Sequence, residues 1–147
     1  MIDVDGRATT ASLRQLRSAL IRAALDTQLV TLAETEKHAK STTLWKDRTG
    51  WTRAHISSGT ASLSSGWVVA AGFASRFLEN GTPPHDIVAK NGGMLRFEIA
   101  GTVFFRRMVH HPGTAERPFM QQARDHGQQV ADYAAEHFAA QAIQAHR

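Results

Sequence analysis

The sequence predicts an α+β fold, with helices packed on a mostly antiparallel sheet of four to five strands. Three observations predict it. Both ends of the chain carry apolar residues at helical spacing, the middle carries short runs of alternating apolar residues, and no linker or internal repeat separates the two regimes. At 147 residues, with 42% hydrophobic and 20% charged residues, the chain has the length and composition of a single domain, 1–147, with one core.

The first residues, 1 to 11, are small and polar and read as a flexible N-terminal arm. Ser12 and Gln15 have the spacing of a capping box, which predicts a long N-terminal helix over 12–40. Leu13, Leu16, Leu20, Ala23 and Val30 lie along one stripe of that helix, with Ile21, Leu25, Leu29 and Leu32 beside it, so its apolar face is wide. Ser41 to Gly50 reads as a loop by composition, and it brings Trp45 and then Trp51 into polar surroundings.

The period then changes. Ala54 and Ile56, and later Trp67, Val69 and Ala71, alternate with polar or small residues, which predicts two strands joined by the Ser/Gly/Thr-rich stretch Ser57 to Gly66. A short middle helix is expected near 73–80, closed by Gly81, and Thr82-Pro83-Pro84-His85 must be extended. Leu95, Phe97 and Ile99, then Val103, Phe105, Arg107 and Val109, alternate on either side of Ala100-Gly101 and predict a hairpin; the whole sheet region spans 52–110. Arg117-Pro118 opens a long C-terminal helix over 118–145, with Met120, Ala123, Gly127, Val130, Ala134 and Phe138 near one face.

Composition excludes several classes. There is no cysteine, hence no disulfide scaffold, thiolate nucleophile or cysteine-based zinc site. No apolar run is long enough to cross a bilayer and no secretory signal opens the chain, so a soluble protein made in the cytoplasm, without a membrane partner, is expected. Lys and Arg number 17 against 13 Asp and Glu, a net charge of +4 and a pI near 10.1, which suits an anionic partner without demanding one.

The side chains capable of chemistry form no motif. Adjacent His110 and His111 point to opposite faces of a strand, and His126, His137 and His146 lack the i, i+4 spacing of a helical zinc site, so no metal or other cofactor is expected. Ser57, Ser58, Ser62, Ser64 and Ser65 lie outside any nucleophile elbow, and nothing fixes the separation of Glu79, Asp86 and Glu98. No catalytic residue is therefore assigned. A hydrolase would need a serine, a histidine and an acid brought together by the fold alone. Basic residues gather at Lys37, Lys40, Lys46, Arg48 and Arg53, and again at Arg96, Arg106, Arg107 and Arg117, near Trp45, Trp51 and Phe104. This pattern leaves open a basic nucleic-acid-binding module. Because aromatics and arginines concentrate binding energy, Trp45, Arg48, Trp51, Arg53, Arg106 and Arg107 are the candidate interface residues.

Three stretches carry a further pattern: Asp47-Arg48-Thr49-Gly50-Trp51-Thr52-Arg53-Ala54-His55-Ile56, then Phe77-Leu78-Glu79-Asn80-Gly81-Thr82, then His111-Pro112-Gly113-Thr114 with Arg117-Pro118-Phe119-Met120 and Ala123. In this order, across roughly residues 33 to 125, they resemble the phage gene-product-10-like tail-component family. Trp51, His55 and Ser75-Arg76 depart from the family's usual residues. The resemblance implies a non-enzymatic virion protein in the neck of a long-tailed bacteriophage or prophage. There it would form a ring, sixfold like the tail, that completes the tail and joins the head connector to the tail tube. Its implied partners are copies of itself, a head connector or stopper protein, a tail tube or tail terminator protein, and genomic DNA passing through the lumen without sequence-specific contacts. The alternative within the same resemblance is a tail terminator that caps the tube. The N-terminal arm and the loops Ser41 to Gly50 and Ser57 to Gly66 are the elements expected to reach neighbouring rings.

Overall fold

A computed structural model describes residues 6–146 and shows the mixed α+β architecture that the periodicity predicts. Helix α1 runs Gly6–Ser41, a single turn α2 covers Trp51–Ala54, and strands β1 (Ile56–Ser62) and β2 (Ser65–Ala70) form a hairpin. Helix α3 (Ser75–Asn80) leads to β3 (His85–Val88), β4 (Leu95–Ile99), β5 (Thr102–Arg106) and β6 (Met108–His111), and helix α4 (Phe119–Gln144) closes the order. All strand pairs are antiparallel, but they form three two-stranded sheets rather than one sheet of four or five strands.

Two local expectations change. Helix α1 already includes residues 6–11, so the part of the expected arm that is described is helical, and Ser12 and Gln15 sit inside the helix rather than at its cap. Residues 1–5 of that arm lie outside the described residues. The Ser/Gly/Thr-rich stretch Ser57 to Gly66 is also not a loop. It forms most of the β1–β2 hairpin, in register from Ile56 opposite Ala70 to Thr60 opposite Gly66, with a one-residue shift before Ser62 meets Ser65, because its small residues pair backbone to backbone without needing a side-chain core.

The chain divides into two compact units, one formed by the chain up to Ser75 together with the chain from Phe119 onward, the other by Arg76–Pro118. The core of the first unit lies where α1, α4 and the β1–β2 hairpin meet, with Phe119, Ile56, Ala39, Ala123, Ala134 and Trp45 buried. Helices α1 and α4 run antiparallel and touch through small residues. Gly127 lies so close to Thr35 that a Cβ there would collide with the Thr35 hydroxyl, and His38 stacks on His126 with ring centroids 4.5 Å apart. The seam is therefore set by Ala19, Ala23, Thr35 and Ala39 of α1, and the larger Leu13, Leu20, Ile21, Leu29 and Val30 remain exposed.

The second unit is one long two-stranded ribbon. Strands β5 and β6 are separated only by Arg107 and pair successively with β4 and β3, while residues 89–94 bulge out opposite the junction; there Ala89 N–H donates to the Arg107 carbonyl at 2.9 Å. The expected Ala100-Gly101 turn closes it, with both residues at positive φ, as a two-residue hairpin turn requires.

Candidate functional site

The stretch from Ser41 to His55 is built around one carboxylate and one guanidinium. Asp47 accepts the Gly50 N–H through Oδ1 and the Arg53 N–H through Oδ2, both at 2.9 Å, and so caps the turn that starts α2. Those hydrogen bonds favour the charged form and, with the Arg53 N–H as the largest contribution, hold the Asp47 carboxyl below its usual range. The half-buried Arg53 side chain then reaches back to the end of α1. It donates through Nη1 to the Lys40 carbonyl at 2.6 Å, and through Nη2 to the carbonyls of Thr42 at 2.7 Å and Trp45 at 3.3 Å. A helix C-terminus presents orphan carbonyls, and a guanidinium is the side chain with enough fixed donors to satisfy several at once.

This arrangement separates the candidate interface residues. Trp45 is only 6% exposed, packs on Phe119 at 4.3 Å between ring centroids and has the Arg53 guanidinium over its ring at 5.0 Å. It is a core residue, so the expected surface contact at this position is corrected. Arg53 likewise has both terminal nitrogens bonded to backbone carbonyls of its own chain. Trp51 is 58% exposed, lies against the His55 ring at 3.9 Å, and has exposed Arg48 three residues before it. These two remain available for a partner.

Arg106 and Arg107 belong to the ribbon unit and are exposed there. Arg106 donates to the Phe105 carbonyl at 2.8 Å and lies 5.9 Å from the Phe104 ring centroid.

The second and third sequence stretches meet in the same ribbon unit. Thr82 and Thr114 exchange backbone hydrogen bonds in both directions, at 3.0 and 3.1 Å, and their hydroxyls lie 3.0 Å apart. The preceding glycines, Gly81 at φ 67° and Gly113 at φ 87°, each press against the opposite segment. A Cβ on Gly81 would lie 2.5 Å from the Thr114 carbonyl oxygen, and one on Gly113 would collide with the Thr82 carbonyl oxygen. Arg117 N–H donates to the Leu78 carbonyl at 2.7 Å just beyond this lock. The two Gly-Thr pairs, 32 residues apart, thus form one joint that closes the base of the ribbon. The repeated Gly-Thr following Asn80 and Pro112 was the available sequence signal for it.

Several of the histidines and serines singled out in the sequence have structural partners. His110 and His111 do face opposite sides of β6: His110 lies 2.8 Å from Asp86, and His111 accepts the Gly113 N–H and lies beside His85. Ser58 donates to Glu36 of α1 at 2.6 Å, and the Ser62 and Ser65 hydroxyls lie 2.7 Å apart across the hairpin. Glu98 sits opposite Val103 on β4, away from the β3 site of Asp86. Among the described residues no three His, Asp or Glu side chains converge as a metal site would require, and no helix is long and apolar enough to cross a membrane.

The periodicity did not disclose an apolar groove of about 530 Å³ in the first unit. Its walls include Leu20, Ala24 and Gln28 of α1, Ala131 and Ala135 of α4, and Leu63 at the hairpin turn. Both polar atoms of the Gln28 amide, and the Thr31 hydroxyl beside it, are buried there without a hydrogen-bond partner. No protein-family model matches the chain, and neither the curated proteins nor the solved structures show a match to it.

Proposed function

We propose that this chain is a non-enzymatic structural subunit of a tailed-bacteriophage neck, assembling as a ring that completes the tail and joins the head connector to the tail tube. The three sequence stretches that carry the resemblance to the gene-product-10-like tail components support the reading, and so does the way they behave as structural joints. The observation that carries it furthest is the state of the ribbon unit. None of its residues is buried, and Val88, Ile99, Phe105 and Met108 on its strands, with Met94 beside them, stand more than half exposed. A lone two-stranded ribbon is marginal in water, and apolar residues spread along both strands call for a covering partner.

In this reading the ribbon and the Trp51–Arg48 corner are covered by neighbouring subunits and by the connector and tube proteins. Exposed Arg106 and Arg107 would add positive charge to a ring through which DNA passes without sequence readout.

Deleting the gene from its phage or prophage tests this by electron microscopy of the lysate. DNA-filled heads and finished tails that fail to join, restored by supplying the chain in trans, are the expected outcome. Tubes of uncontrolled length would instead assign the tail-terminator role, and normal infectious particles lacking the chain would overturn a neck function altogether.

A further inference from the structure

We infer that the groove between α1 and α4 is the seat for the N-terminal part of α1 from a second copy of this chain. The inference rests on the proposed reading in one respect, that copies assemble with one another.

The first argument is geometric. Thr35 of α1 lies on Gly127, and Leu20 shares the groove with Ala139, so α4 ends near the level at which α1 first becomes buried, at Ala19. The preceding residues from Gly6 to Ser18 continue as helix for about 20 Å at 1.5 Å per residue. Leu13 on this overhang is 62% exposed. From Ala11 to Ser18 every residue of this extension except Leu16 is exposed, and the extension is held by propagation of the helix, which leaves that surface available for binding.

The second argument is charge. From Gly6 to Leu25 the chain carries Arg7, Arg14, Arg17 and Arg22 and no acidic residue. In α4, Asp125 is paired with Arg124 at 3.7 Å, and from His126 to Gln144 the helix carries Asp132 and Glu136 and no Lys or Arg. Asp132 and Glu136 each follow a groove-lining alanine, Ala131 and Ala135, and both are exposed. An acidic edge therefore flanks an alanine-walled trough, and small residues let a helix approach closely. Leu13 and Arg17 share one face of the overhang at i and i+4, and Arg14 adjoins Arg17 at the edge of that face at i and i+3, which sets two cations beside an apolar anchor.

The third argument is the orphaned amide. Gln28 and Thr31 lie inside the groove with no partner for their buried polar atoms, a state that costs free energy until donors and acceptors arrive. Because the overhang and the groove are different surfaces of one chain, the contact is head-to-tail, the kind that closes into a ring or extends into a filament.

The absence of cysteine makes a clean test. Leu13→Cys and Ala135→Cys variants of the full chain are mixed and mildly oxidised, and the products are resolved without reductant. The expected result is a disulfide-linked heterodimer in the mixture and little product from either variant alone. The product is lost when the Leu13→Cys chain also carries Arg14→Glu and Arg17→Glu, and regained when its partner carries Asp132→Arg and Glu136→Arg. Circular dichroism of each variant controls for folding.

If the chain sediments as an oligomer but the heterodimer does not form, this contact is wrong and the ring reading stands. If Leu13→Cys links to itself as readily, the overhang pairs with another overhang and the groove is not its seat. A chain that sediments as a monomer at every concentration and gives no cross-link overturns the contact and self-assembly in solution together. Salt-dependent binding of duplex DNA by a monomer, lost on Arg14→Glu and Arg17→Glu, would assign the overhang to nucleic acid and overturn the proposal.

Discussion

The guanidinium of Arg53 donates to the carbonyl oxygen of Lys40 across thirteen residues, at 2.6 Å, and joins the end of the first helix to the turn that starts the β1–β2 hairpin. With its further bonds to the carbonyls of Thr42 and Trp45, it converts a polar loop into a rigid corner. Arg53→Ala leaves these half-buried acceptors without their charged donor and is expected to cost about 2–4 kcal/mol, read as a lower urea midpoint with an unchanged slope. Arg53→Lys should recover only part of the loss, since an ammonium has one donor nitrogen where the guanidinium reaches Lys40 from Nη1 and Thr42 and Trp45 from Nη2. Equal stability of all three proteins would show that the corner is held by Asp47 alone.

Trp45 and Trp51 are expected to diverge on substitution. Trp45 fills the space between Phe119 and Arg53, so Trp45→Ala should destabilise by about 3–5 kcal/mol and broaden the amide spectrum of the first unit. Trp51→Ala removes an exposed ring and should change stability by no more than about 0.5 kcal/mol, while under the proposed neck function head-tail joining should fail in a complementation assay. Joining at wild-type efficiency with Trp51→Ala would remove this residue from the interface.

Gly127 and Thr35 set the distance between the two long helices. Gly127→Ala places a methyl group where the Thr35 hydroxyl now sits and is expected to cost about 1–3 kcal/mol despite the higher helix propensity of alanine. Combining it with Thr35→Ala should return part of that loss, and a double-mutant cycle in denaturant reads the coupling. An additive cycle would mean that the helices simply move apart.

Two carboxylates give the fold an acid dependence. Glu36 is held below its ordinary value of 4.5, first by its hydrogen bond with Lys40 and then by Ser58, and Asp47 below 3.8, first by the Arg53 N–H. With lowered folded values the unfolded chain binds more protons, so their contribution is complete above about pH 5 and is lost as the pH falls through their folded values. Thermal midpoints measured from pH 7 to pH 2 should decline below about pH 4.5, and the decline should be shallower in Glu36→Gln and in Asp47→Asn. Parallel curves for all three proteins would place the acid sensitivity elsewhere.

Helix, strand and turn were largely legible because apolar period and turn chemistry are local properties. The Leu95-Phe97-Ile99 alternation and the Ala100-Gly101 turn became β4 and β5 as read. What failed depended on distant partners. The leucines of α1 dominate any hydrophobic pattern, yet the alanines and threonines face α4, because Gly127 draws the helices too close for larger side chains. Trp45 looked like a surface aromatic among polar neighbours until Phe119, 74 residues later, came to lie against it. The alternation in the middle of the chain likewise gave strand identity but not sheet membership. Which strands pair is set by connections such as the Thr82–Thr114 joint, and three two-stranded sheets satisfy the same pattern as one larger sheet.

That joint should govern the ribbon unit specifically. Gly81→Ala forces a side chain into the left-handed region and against the Thr114 carbonyl, and Gly113→Ala does the same against Thr82, each at a local cost of about 1–3 kcal/mol. Because no residue of residues 76–118 is buried, this unit has little packing energy with which to absorb the strain. Hydrogen exchange read by mass spectrometry should show faster exchange through 85–111 in either variant, with α1, α4 and the β1–β2 hairpin protected as before. Uniform acceleration over the whole chain would instead mean that the two units unfold as one. If the neck reading holds, incorporation into assembled particles should restore protection to 85–111, because the partner that covers Phe105 and Ile99 supplies the burial the isolated ribbon lacks.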